Sequence, residues 1–463
     1  MTHAAPAPAA TAAAAARAAR TARLLTGPIG PTLARLAAPN VLAMVVVSAM
    51  SIAEGAFAGL LGLNALAGLA LVFPFVMLVQ MLSAGAMGGA ISAAVARALG
   101  AGDAPRAARL ALHAFLIAIC AAGLSAALMT LFGPSIFALL GGEGEALSGA
   151  VAYASVFFPG CAALWLCHAA LSVIRGTGNM ATPSLLLLLV SAASIPLSGA
   201  LGLGWGPFPR LGMAGLAGGL IGAFAIGGAV AIGWVVMGRA GLTLRGAAGL
   251  SGALAWDILR VGLVASLSAC QTVITVVAMV GLVGRFGPEA LAGYGLAARL
   301  EFLMVPVVFG IGAAMTAMVG ANMGAGARER AVRVAWTGSC AAGVLVGGVG
   351  LFFAAFPEVW LGMFLSPDAD GARAAGQAYF RIAAPFYGFF AVGLGLYFAS
   401  QGAGRVIWPV LTGFARMAVA VGGGIALVRG ADFGIEGVFA AVAAGMVAYG
   451  VLTAIWLWRT GWR

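Results

Sequence analysis

Three charged residues stand where charge is costly. Glu54 in "SIAEGAFAG" (51–59) and the pair Arg299 and Glu301 in "GYGLAARLEFLMVP" (293–306) lie inside apolar runs long enough to cross a bilayer. An ionised side chain in hydrocarbon costs several kcal/mol, so such groups serve proton relays, ion sites or ligand charges. On a helix Asn40, Ser48, Ser51 and Glu54 fall on one stripe, which turns the carboxyl toward hydroxyls and away from lipid. With no cation near it in the chain, Glu54 can take up and release a proton. The alternative is a glutamate near the outer end of its helix that only reaches the interface.

Arg299 and Glu301 are two apart, so on a helix their side chains diverge. Arg416 lies mid-span on a later helix, and at ~1.5 Å per residue it reaches about the depth of Glu301. This predicts a Glu301–Arg416 pair, either a structural ion pair or a gate, with Arg299 facing a cavity or snorkelling outward. Tyr294 belongs to the same expected site. His168 is expected to be a helix–helix hydrogen-bond contact, His113 to lie near a membrane boundary, and Asp257 and Arg260 to form a local i,i+3 pair. Met and Phe residues around 73–87 and 302–315 supply adaptable candidates for lining a cavity.

Other chemistry is missing. The five cysteines show no CxxC spacing, and no HExxH, paired-Asp or GxxxxGK[ST] pattern occurs. An intramembrane enzyme, a metal or other cofactor, and ATP as a power source are therefore not expected.

The elements that must position these residues are membrane helices. Of 463 residues 63% are hydrophobic and 8% charged, a mixture that cannot make a soluble sphere with a polar skin. Spans are expected near 33–58, 64–95, 108–132, 149–172, 183–203, 211–237, 256–283, 290–319, 332–356, 376–399, 407–428 and 435–458, which makes the chain an all-α polytopic membrane protein. All 24 basic residues are arginine. Most fall on one side of these spans, among them Arg97, Arg106, Arg109, Arg175, Arg239, Arg245, Arg328, Arg330 and Arg333. The opposite loops hold acids such as Glu143, Glu145, Glu358, Asp370 and Asp432. The +11 charge is thus read as the positive-inside bias, with both termini cytoplasmic, and not as a nucleic-acid surface. Residues 1–26, rich in Ala and Pro, are expected to be a disordered or surface-lying cytoplasmic tail.

The landmarks occur twice. "ALAG" at 65–68 returns at 290–293, "ALGAGDAPRAAR" (98–109) as "NMGAGARERAVR" (322–333), "RGTGNMATP" (175–183) as "QGAGRVIWP" (401–409), and "LGMAG" (211–215) as "FGIEG" (433–437). The offsets stay between 222 and 226. Two six-helix lobes, 27–240 and 241–463, follow. Since six is even, they share an orientation and a pseudo-twofold axis along the membrane normal, with a central cavity suited to alternating access.

The stretch 36–68, the paired GAG turns, and RGTGN with its QGAGR echo together resemble the multidrug and toxic compound extrusion (MATE) family, and "GYGLAARLE" is similar to its DinF-like bacterial branch. The resemblance implies export of organic cations and other amphiphiles from the inner membrane by a monomer, driven by a proton or sodium gradient. Glu54 occupies the place of the family's acidic residue on the first helix. Ser194 and Ser198 stand where many members carry an Asn and an Asp that complete an ion site. Losing that charge and amide removes ligands a sodium ion needs, so a proton is the expected coupling ion with sodium as the alternative. A flippase for lipid-linked sugars is the rival by architecture, but it should line its cavity with several cations, whereas only Arg299, Arg416 and Arg381 are candidates within spans.

Overall fold

The computed structural model describes residues 8–244, 249–366, 368–430 and 433–463. Arg245 and Asp432, counted above in the charge asymmetry, lie outside them. Among the described residues twelve helices are long and apolar enough to cross a membrane: Ile29–Leu61, Leu63–Gly100, Ala104–Leu139, Gly144–Gly176, Ala181–Leu203, Gly212–Val236, Gly252–Phe286, Pro288–Gly324, Arg328–Ala355, Asp370–Ala403, Ile407–Arg429 and Gly434–Thr460. Each coincides with one expected span. Most run a turn or so longer, because a helix continues beyond the hydrocarbon into the headgroup layer. The second span carries a π-helical turn at Met81–Met87 and the eleventh another at Ala418–Gly422.

The repeated motifs now have physical causes. Gly68 and Gly293 end the two ALAG copies. A Cβ on Gly68 would stand 2.7 Å from the Ala146 carbonyl oxygen and one on Gly293 2.1 Å from that of Ala372. These glycines let the second span cross the fourth, and the eighth cross the tenth, at backbone contact. In the GAG turns Gly102 and Gly326 take φ of +78° and +73°, the left-handed conformation glycine adopts without steric cost. Asp103 then caps the third span, accepting from the Arg106 N–H at 2.8 Å with Pro105 in the first turn.

Residues 8–26 correct the disorder expected of the tail: Pro8–Thr26 is a helix. Its alanines favour that state, and it is docked. Leu24 is buried, its carbonyl accepts from Asn322 Nδ2 at 3.1 Å, and its side chain packs on Gly178. Ala13 and Arg17 lie against Gly241. The helix therefore touches the turns after the fourth and sixth spans and the end of the eighth. Arg328 donates to the carbonyls of Thr460 and Gly461, and Arg330 to that of Gly27. The Arg-rich turns thus meet at one end of the molecule.

Candidate functional site

Each bundle contains a carboxyl to which a tyrosine donates, Glu54 in the first, which is buried, and Glu301 in the second, which is half-buried. In the first bundle Glu54 is 8% exposed and accepts a hydrogen bond from Tyr153 Oη of the fourth span. It shares a small pocket of about 10 Å³ with Met50, Phe57, Ser194, Ser198 and Leu220. Ser194 and Ser198 are therefore brought to Glu54, as the family resemblance implied. Their hydroxyls donate elsewhere, Ser194 to the Ser191 carbonyl at 2.8 Å and Ser198 to that of Leu216 at 3.1 Å. Ser51 is half-buried and does not line the pocket. Asn40, on the expected stripe, is buried but faces Met180 and Ser184. Phe57 meets the Trp205 ring edge-on at 5.4 Å, so an aromatic pair covers one wall. No cation lines the pocket.

In the second bundle Glu301 Oε2 accepts from Tyr379 Oη at 2.5 Å. The expected Glu301–Arg416 pair is not formed. None of the four ion pairs among the described residues includes either partner. The Arg416 guanidinium lies instead over Phe390, 4.9 Å from the ring centre, and over Tyr449 at 5.8 Å. Equal depth did not guarantee equal azimuth, and aromatic faces took the cation. Glu301, Arg416 and Tyr294 still line one cavity, of about 60 Å³, and Tyr294 packs edge-on against Tyr379 at 5.4 Å. Arg299 is exposed on the far side of its helix, outside that cavity, which leaves the snorkelling alternative.

Tyr153 and Tyr379 escaped the sequence reading, yet they are 226 residues apart, the offset of the repeat. A search for polar residues at that spacing would have found them.

The two bundles meet at the Arg-rich end. Cβ atoms on Gly100 and Gly324 would stand 2.0 Å from the carbonyls of Ala321 and Arg97, a reciprocal contact between repeat-equivalent turns. Beside it Asp257 gathers three arginines: Arg260 at 2.7 Å as expected, and also Arg106 at 3.0 Å and Arg97 at 3.3 Å. Arg97 further donates to the Gly402 carbonyl at 3.2 Å. His168 accepts or donates at 2.8 Å to Ser83, the helix–helix contact expected of it, and His113 Nε2 accepts from the Ser251 N–H at 2.9 Å. Higher up, Phe73, Val277 and Phe302 are exposed.

The chain is similar to proteins of known family. A curated "FAD transporter" of Shewanella oneidensis is 26% identical over 313 residues, covering 66% of this chain and 68% of that one. A "Probable multidrug resistance protein NorM" of Deinococcus radiodurans is 29% identical over 443 residues, 92% and 95% of the two chains. Among solved structures, a MOP superfamily transporter from Pyrococcus furiosus, described as having a binding pocket of reversed polarity, superposes with a TM-score of 0.86. It is 24% identical and covers 94% of this chain and 96% of that one. An outward-facing multidrug resistance MATE transporter gives 0.85 at the same identity and the same coverage of both chains. The MatE family model matches twice, at residues 39–198 and 265–423, once in each bundle. The doubled match falls on the same two bundles that the tyrosine-held carboxyls and reciprocal glycines define, and this chain is a member of the MatE family of membrane transporters.

Proposed function

We propose that the chain is a proton-coupled exporter of amphiphilic and cationic small molecules, working by alternating access between lobes 27–240 and 241–463. The observation that carries the coupling ion is the Glu54 pocket: one carboxyl, one donating tyrosine hydroxyl, two serines whose protons are directed to carbonyls, and no cation. A hard cation such as sodium wants several oxygens converging on it. A proton needs a single carboxylate. Protonated, Glu54 is neutral and suits its apolar walls; ionised, it favours a state that admits water or a cationic substrate, so ion and cargo are exchanged through a change of lobe shape.

The conformation supports the same cycle. The inter-lobe contacts lie in the Arg-rich halves of the helices, which the positive-inside bias puts in the cytoplasm of a bacterial inner membrane. The lobes are closed on that side by the reciprocal glycines and the Asp257 cluster. Opening to the cytoplasm then requires Arg97 and Arg106 to leave Asp257.

The test is uptake of a fluorescent organic cation into proteoliposomes with imposed proton and sodium gradients applied separately. A proton gradient alone should drive transport, and a proton ionophore should abolish it. Sodium-driven transport indifferent to the ionophore would overturn the coupling and move it to a site of Glu54, Ser194, Ser198 and backbone oxygens.

A further inference from the structure

The closed interface between the lobes holds a cation that proton coupling does not use. Arg175 lies in the last turn of the fourth span, in RGTGN, and is 4% exposed. An arginine at a helix end ordinarily complements the dipole with its head in water. This one is turned inward. Its Nε has no hydrogen-bond partner, and none of the four ion pairs among the described residues includes it. It lines a small cavity of about 20 Å³ between the lobes together with Ser92, Ser172, Gln401, Phe309 and Phe398. Ser92 and Ser172 are buried hydroxyls, and that of Ser92 is unpartnered. Gln401 gives its amide hydrogens to the Gly85 carbonyl and Tyr397 Oη, which leaves Oε1 open. No carboxylate lines the cavity.

The asymmetry of the repeat sharpens this. Gln401 is the repeat partner of Arg175, 226 residues on. A structural ion pair across the pseudo-twofold would need an acid there; the neutral amide leaves the cavity one net positive charge. A buried cation is destabilising without an anion, and the guanidinium fork is shaped for two parallel hydrogen bonds to a carboxylate or phosphate. Two hydroxyls stand ready as further donors. The lining comes from the second, fourth, eighth and tenth spans, two from each lobe, so the cavity widens whenever the lobes part.

We propose that this inter-lobe cavity is a subsite for an anionic group, carboxylate or phosphate, carried by the transported molecule, so that acidic and zwitterionic amphiphiles belong to the cargo. The identity of the ligand as cargo rests on the export reading; the existence of the anion site does not.

The test uses the full chain in detergent. A rhodamine with a free carboxylate and its ethyl ester share one cationic aromatic body, and their affinities are read by fluorescence anisotropy. Wild type should bind the acid about tenfold tighter than the ester. Arg175→Gln, which copies the repeat partner, should erase that difference and leave ester binding unchanged. Ser92→Ala keeps the charge and should reduce the preference severalfold, which guards against misfolding of the arginine variant. In a second arm, inorganic phosphate at constant ionic strength should raise the melting temperature of wild type and not of Arg175→Gln. Equal affinity for acid and ester in wild type, or a preference that survives Arg175→Gln, overturns the cargo subsite. Phosphate stabilisation with no acid preference also overturns it, in favour of a free inorganic anion. Stabilisation equal in wild type and variant overturns the site itself. If neither dye binds, the export reading fails for this class, and the phosphate arm alone decides the site.

Discussion

The two tyrosine-held carboxyls sit in lobes built alike and yet are surrounded differently. Tyr153 and Tyr379 are repeat partners on the fourth and tenth spans, but the acid each holds comes from a different helix: Glu54 from the first span, Glu301 from the eighth, which repeats the second. Around Glu54 the walls are apolar and no cation lines them. Around Glu301 the cavity is larger and holds Arg416, braced on two aromatic rings. The scaffold, its close helix crossings and its tyrosine were kept, and the charge was placed anew in each copy. On the proton-coupled reading proposed above, the acid alone in an apolar pocket is the one whose charge changes during the cycle. An acid sharing a cavity with an arginine has a positive charge near it to oppose its own.

The largest expected effect separates those roles. Glu54→Gln, locked in the neutral form, should fold and bind dye yet lose gradient-driven export. Glu301→Gln should keep export but lower the folded yield and the melting temperature, since it leaves Arg416 without a nearby anion and weakens a charged hydrogen bond worth ~1.5–3 kcal/mol. Transport assays and thermal melts on the same preparations give both readouts. Proton-driven export by Glu54→Gln at the wild-type rate would end the comparison.

The packing prediction is next in size. Gly293→Ala and Gly68→Ala add the same methyl group at equivalent crossings, but Gly293 is the tighter, 2.1 Å against 2.7 Å from the facing carbonyl oxygen. Backbone must move in both cases, at a cost of about 1–3 kcal/mol. Gly293→Ala should melt lower. The reverse order would show that the second lobe yields more easily at this crossing.

A smaller effect is expected at the closed end. Asp257→Asn removes the anion that Arg97, Arg106 and Arg260 share, which should raise labelling of a cysteine placed near Arg97 as the lobes part more often on the Arg-rich side. Unchanged labelling would mean that the glycine contacts alone keep that end shut.

Much of this was legible in the chain. The spans follow from apolar length, and the lobes from motif offsets. Glu54 stood out as an acid among apolar residues, and the family resemblance placed Ser194 and Ser198 beside it. Three features were not legible, for different physical reasons. Glu301 and Arg416 were matched by depth, but pairing on packed helices also needs rotation about each axis, which the distribution of small residues does not reveal at a single position. Tyr153 lies 99 residues from Glu54 with no local spacing that marks it as a donor, and only its 226-residue offset from Tyr379 picks it out. The amino-terminal helix was hidden by its polarity and the prolines at and before its start; its alanines favoured helix, and the turns after the fourth and sixth spans supplied the docking surface.

The subtlest test lies in the tyrosines. Tyr153→Phe and Tyr379→Phe each remove one hydroxyl oxygen from a buried site and leave the ring, so packing changes should be small and alike. The consequences should not be alike. Without its Tyr153 donor, Glu54 loses the hydrogen-bond partner that accompanies its charge, and the balance between its two protonation states is altered. The pH at which export is half-maximal should therefore move in Tyr153→Phe. In Tyr379→Phe, Glu301 still shares its cavity with the Arg416 charge, and the pH profile should stay where it is while the melting temperature falls modestly. Export measured across pH in proteoliposomes, with a melt of each variant, reads both quantities. A pH profile that moves in Tyr379→Phe and not in Tyr153→Phe would exchange the roles of the two lobes, making the larger cavity the proton site and the Glu54 pocket the structural one.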